Sequence, residues 1–141
     1  MTVQTTLHDV LGAPLPPAPA YGSNSIADVL ESASSLVAQR SLARPAHALD
    51  SDPAFNSVAD PLNLAGRLAE QDVDPASFRH ACVIMVDGLG EQLLNSYGGY
   101  APALRKTLNL GPLDAAFPTT TAASLTSLGT GTAPGAHGIA G

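Results

Sequence analysis

Two short segments carry the groups best able to do chemistry together. In the first, the apolar run Val83-Ile84-Met85-Val86 stops on a carboxylate, Asp87, and continues as Gly88-Leu89-Gly90. The second is Phe117-Pro118-Thr119-Thr120-Thr121-Ala122-Ala123-Ser124, where hydroxyls stand at the expected start of a helix. An anionic oxygen at the end of an apolar element suits a hard or borderline divalent cation. A Thr or Ser hydroxyl beside such a cation is acidified enough to act as a nucleophile near neutral pH. Thr121 falls in the first turn of the following helix, whose open backbone donors and positive dipole end favour a phosphate. The pair therefore points to phosphoryl chemistry. Each half also has a plainer reading, since Asp-Gly ends strands in turns and a threonine run caps helices.

These groups need elements to hold them. The run over 81–86 is short, unbroken and rich in β-branched residues, which predicts a strand covered on both faces in a parallel sheet, with Cys82 buried in it. Leu89, Leu93 and Leu94 predict a helix that stops near Gly98-Gly99, and Leu104 with Leu108 another. A strand over 113–117 and a helix over 122–128 follow, before a glycine-rich end. This alternation predicts an α/β sandwich, in which ligands gather beyond the carboxyl ends of the strands.

Upstream, Ile26, Val29, Leu30, Ala33 and Val37 recur at helical spacing, with Ser25 and Asp28 placed as a capping box, so a helix is predicted over 25–38. Asp60-Pro61 reads as a cap and first helical position for a second helix, burying Leu62, Ala65, Leu68 and Ala69 and ending near Gln71. Between them, 40–59 reads as a surface loop. Its Asp50-Ser51-Asp52-Pro53 lacks the Gly and terminal Glu of a calcium loop. The block Ala13-Pro14-Leu15-Pro16-Pro17-Ala18-Pro19 is an extended lead-in with fixed φ angles and missing donors. Three segments result: 1–24 as lead-in, 25–79 as a helical segment with a loop, and 80–141 as the beginning of a catalytic α/β unit.

With 45% hydrophobic and 13% charged residues, the 141-residue chain belongs to the globular class. A net charge of -6 with only 6 Lys and Arg argues against binding a nucleic acid polymer. No run reaches the length of a membrane span, and the start of the chain lacks a cationic, apolar leader, so a cytoplasmic location is expected. A phosphate-cradling P-loop is excluded because the only lysine, Lys106, has no glycines before it. The dinucleotide fingerprint fails at Pro134, and no Gly-x-Ser-x-Gly elbow is present.

In order and spacing, Asp87-Gly88, Pro118-Thr119-Thr120-Thr121, Thr130-Gly131 and Pro134-Gly135-Ala136-His137-Gly138-Ile139 resemble the type I phosphodiesterase and nucleotide pyrophosphatase branch of the alkaline phosphatase superfamily. The resemblance covers about 80–141. It implies an alkaline-phosphatase-like sandwich around a mostly parallel sheet, incomplete in this chain. It also implies a site with two divalent ions, usually zinc. Asp87 would ligate one ion, and Thr121 would bind that same ion and act as the nucleophile, passing through a phospho-threonine. Thr119 and Thr120 stand as alternative nucleophiles. The substrate implied is a small phosphoester or a nucleotide.

Departures from the pattern limit what carries over. Many members have Phe-Pro-Asn after the nucleophile, where this chain has Ala122-Ala123-Ser124, which leaves the substrate preference open. The other ligands implied by the resemblance, several His and further Asp, find no counterpart in His8, His47, His80 or His137; His137 reads as part of a structural turn, and His47 and His80 as solvated. The chain is accordingly read as the N-terminal part of a longer enzyme, expected to show little or no turnover alone and to aggregate or need a partner. The alternatives are another superfamily member, such as a phosphonate hydrolase or a cofactor-independent phosphoglycerate mutase, or a non-catalytic truncated fragment. A sulfatase is disfavoured because no Cys/Ser-x-Pro-x-Arg run is present.

Overall fold

A computed structural model describes residues 17–42 and 58–141. The readings of His8, His47, Asp50, Asp52 and most of the proline-rich block fall outside these residues.

The predicted capping box is present. Ser25 is the N-cap of a 3-10 turn, Ile26–Asp28, that runs directly into helix α1, Val29–Leu42. Asp28 Oδ2 accepts from the Ser25 amide at 2.7 Å and from its hydroxyl at 2.9 Å, and Oδ1 accepts from the Gly22 amide at 2.8 Å. These bonds let the carboxylate sit buried, because each lost water partner is replaced by a fixed donor. Along α1 the inward face holds Ser32, Ala33, Ser35 and Leu36. Ser32 Oγ accepts from the Leu62 amide at 3.0 Å, which fixes the second helical segment against the first.

The second helix, α2, spans Leu64–Ala69 and starts later than the Asp60-Pro61 signal predicted. Asp60 does cap it, with Oδ1 accepting from Leu64 N and Oδ2 from Ala65 N, both at 2.9 Å. Asn63, however, sits in the left-handed region at φ 51°, so helical geometry cannot extend back across it. Leu62 and Leu68 are buried as expected, whereas Ala65 is half-buried and Ala69 is exposed. Helix α3, Glu91–Tyr97, runs on into a 3-10 turn over Gly98–Tyr100, and the helix expected around Leu104 and Leu108 is a single 3-10 turn, Leu104–Lys106. Helices α4, Thr121–Thr130, and α5, Pro134–His137, complete the described residues.

The predicted α/β sandwich with a parallel sheet is not what the described residues form. Among the described residues there is no ladder, only one isolated parallel bridge between Ser25 and Asp114. The apolar run over 81–86 has no strand partner, and Ile84 is 80% exposed. Cys82, expected to be buried there, is exposed as well. The physical reason is that a helix closes its backbone hydrogen bonds within itself, whereas a strand closes them only through a neighbour. No segment of the described chain supplies that neighbour for 81–86. The strand expected over 113–117 is reduced to the bridge, in which Ile26 N donates to Asp114 O and Asp114 N to Asn24 O, each at 2.9 Å.

That bridge nevertheless matters for the site. Asp114 Oδ2 also accepts from Ala20 N at 2.8 Å, and the Tyr21 hydroxyl accepts from Phe117 N at 3.1 Å. An Arg67 guanidinium donates to Leu110 O. The segment leading into Thr119–Thr121 is thus tied down along its length by residues from the first half of the chain. Among the described residues, four of the seven buried apolar ones are alanines, Ala27, Ala33, Ala116 and Ala123, and this lets the Ile26–Asp28 turn lie close against α4.

Candidate functional site

Thr120 opens α4 from an extended conformation, and its Oγ1 accepts from Ala123 N at 3.1 Å. The same hydroxyl donates to Ala140 O at 2.9 Å. With one proton and one lone pair committed, Thr120 is a structural cap. Ser124 N is met by Thr120 O at 3.0 Å, so the amides of Thr121 and Ala122 remain as the open donors of the first turn. Thr121 is the first helical residue, and its side chain is exposed.

On the opposite wall, Asp87 ends the apolar run and is followed by Gly88 at φ 69°. A side chain is strained in that conformation, so glycine is what permits the sharp turn that leaves the Asp87 carboxylate projecting. The Thr121 hydroxyl faces Asp87 Oδ2 at 3.4 Å. This is longer than an ordinary O–H···O bond but close enough for the two oxygens to address one reacting centre. The two residues predicted to act together are therefore neighbours, although 34 positions separate them. Both line a cleft of about 1050 Å³ with walls that include Val83, Met85, Leu94, Leu108 and Leu113. That volume is ample for a small phosphoester or a nucleotide.

The donor set can be compared with the two-ion site that the resemblance implies. Asp87 and Thr121 offer two oxygens on one side. No group of three or more His, Cys, Asp or Glu stands together among the described residues. A catalytic zinc takes three protein ligands and keeps one open position, so the described residues supply part of one set and nothing for a second ion. They do not make up the two-ion centre.

His80 is exposed, as expected. His137 lies at the end of α5, with Nε2 at 3.0 Å from Ser127 Oγ and Nδ1 accepting from Ile139 N at 3.1 Å. Sequence reading placed His137 in a turn but missed its partner Ser127. Ser127 lies with Ala123 and Ser124 among the buried residues of α4, a stripe of small residues that does not by itself point to a histidine.

Residues 81–141 match the family model for type I phosphodiesterase / nucleotide pyrophosphatase, the same family and the same stretch that the motifs resemble. No curated protein and no solved structure matches significantly. The match supports a hydrolase of the phosphodiesterase kind. Among the described residues, no helix is long and apolar enough to cross a membrane.

Proposed function

We propose that this chain carries the nucleophilic half of a phosphoester-hydrolysing site, with Thr121 as the nucleophile and Asp87 as its acidic partner. The observation that carries this reading is the 3.4 Å approach of the Thr121 hydroxyl to Asp87 Oδ2 at the first turn of α4. Of the three consecutive threonines, Thr120 has its hydroxyl spent on the helix cap and on Ala140 O, whereas the Thr121 hydroxyl faces a carboxylate and the cleft.

In the first step the Thr121 oxygen forms a bond to phosphorus and the ester P–O bond breaks, the leaving alcohol taking the electron pair. The hydroxyl proton passes to the Asp87 carboxylate, and the leaving oxygen takes its proton from water. Open amides at Thr121 and Ala122 face the non-bridging oxygens, where negative charge is concentrated. Water then cleaves the phospho-threonine and restores the hydroxyl. The substrate class is a small phosphoester or nucleotide ester, in keeping with the cleft. Two divalent ions, zinc by the resemblance, are the cofactors of this reading; Asp87 and Thr121 are the residues that would bind one of them, and further donors are required.

A single-turnover measurement suits a site with an incomplete donor set. The chain is mixed with bis-nitrophenyl phosphate and excess zinc, and the covalent product is located by intact mass and peptide mapping. A nitrophenyl-phosphoryl adduct on Thr121, lost in Thr121→Ala, is the expected result. An adduct on Thr119 or Thr120 would reassign the nucleophile, and no adduct at all is the outcome that a non-catalytic binding fragment requires.

A further inference from the structure

We propose that His137 is a positioning residue for Thr121, held as the neutral tautomer with its proton on Nε2, and that it closes a ring of hydrogen bonds around α4. The inference rests on the reading of Thr121 as the nucleophile. It starts from the direction of one bond. A backbone amide can only donate, so the 3.1 Å contact from Ile139 N makes Nδ1 an acceptor with its lone pair in use. A neutral imidazole with a lone pair on Nδ1 carries its proton on Nε2, and that proton points to Ser127 Oγ at 3.0 Å. Ser127 is fully buried, so the bond is shielded from competing water.

This tautomer excludes two other roles for His137. A base that activates Ser127 needs the lone pair on Nε2 and the proton on Nδ1, which is the reverse arrangement. A metal ligand needs one nitrogen free, and both are engaged. What remains is mechanical. From Ser127, in the middle of α4, the path crosses to His137 and then to the Ile139 amide. The next residue's carbonyl, Ala140 O, takes the Thr120 hydroxyl, and Thr120 Oγ1 in turn accepts from Ala123 N back on α4. The segment after α5 is thereby strapped across the start of the helix, one residue from Thr121. Gly131, at φ 68° with its amide on Ser127 O at 2.9 Å, ends α4 in the left-handed turn that sends the chain back toward His137.

The test begins without any substitution. In the ¹⁵N-labelled 141-residue chain, above the titration range of imidazole, the His137 Nδ1 resonance is expected in the unprotonated range and Nε2 in the protonated range. A protonated Nδ1, or a ring averaging between tautomers, overturns the proposal. Two variants then separate the ring's halves: His137→Asn keeps an acceptor near Nδ1 and loses the donor to Ser127, while His137→Gln does the opposite. Each is expected to speed amide exchange at Ala123 by about five- to tenfold, the size of a weakened N-cap. The Leu62 amide, bonded to Ser32 Oγ on a different element, serves as the internal control and should not change.

Adduct formation at Thr121 should slow by about ten- to a hundredfold in both variants, with the half-saturating substrate concentration within about twofold, the pattern of lost alignment and not of lost binding. Wild-type exchange and wild-type adduct rates in both variants would overturn the inference. A failure of the underlying reading looks different: Thr121→Ala would then form the adduct as before, while the Nε2–H tautomer still stood.

Discussion

The two ends of the candidate site are built in opposite ways. Around Thr121 the backbone is held at both ends of its helix: Thr120 caps α4, Gly131 ends it, and Ser25 with Asp28 caps the turn packed against it. Around Asp87, the run over 81–86 and the residues after it lie largely exposed, with Val86 at 56% and Leu93 at 45% exposure and no ladder bond to hold the run. Helix caps are satisfied within three or four residues of sequence, whereas an apolar run of this kind is satisfied only by partners that the described residues do not provide. Thr121 thus sits on the better-tied wall and Asp87 on the more exposed one.

The largest effect that would sharpen this contrast is chemical. On the proposed role of Thr121, Thr121→Ala should lower adduct formation by on the order of 10³-fold or more. Thr119→Ala, one residue outside the cap, should change the rate by less than about threefold. Equal losses in the two variants, measured by peptide mapping, would mean that the threonine run acts only as a helix start.

Next in size is the stability of the rigid wall. Asp28→Ala removes the acceptor of three bonds, two from Ser25 and one from Gly22, and leaves buried donors unmet; a loss of about 3 kcal/mol is expected by urea unfolding. Leu62→Ala, at a site only 4% exposed, should cost about 2 to 4 kcal/mol. Losses below about 0.5 kcal/mol for both would show that the helical half is no better fixed than the 81–86 run.

A smaller effect is expected at the cap itself. Thr120→Ala should destabilise by about 1 kcal/mol, and Thr120→Ser, which keeps the oxygen, by a few tenths. Because Thr120 also holds Ala140 O, the alanine variant should raise amide exchange at Ala123 more than at Ser127, which a uniform loss of helix would not do.

What could be read from the residues follows the same division. Ser25 and Asp28 stand three positions apart and satisfy each other, so a capping box was readable from the string alone, as were Asp60 at the head of α2 and the glycine turn after Asp87. The order of their motifs singled out Asp87 and Thr121, and the structure brings the two side chains to 3.4 Å of each other. The sheet was not readable, because Val83, Ile84 and Val86 advertise a preference for burial without specifying what buries them, and periodicity is silent about whether a partner exists. The pairing of His137 with Ser127 was hidden for another reason: it depends on the chain reversing at Gly131, and nothing in the spacing of a serine and a histidine ten residues apart encodes that return.

The smallest expected effect probes the looser wall directly. Ile84→Lys places a charge on a side chain that is already 80% exposed, so the unfolding free energy should move by no more than about 0.5 kcal/mol. Its effect should lie in association. The run over 81–86 contains no charge, no proline and no glycine, and its backbone, which has no ladder partner among the described residues, is open to pairing with another edge. A lysine there should therefore lower the fraction of large species seen by light scattering while leaving far-UV dichroism unchanged. If Ile84→Lys instead unfolds the helices, then 81–86 packs against them in solution, and the two walls of the site are one cooperative unit.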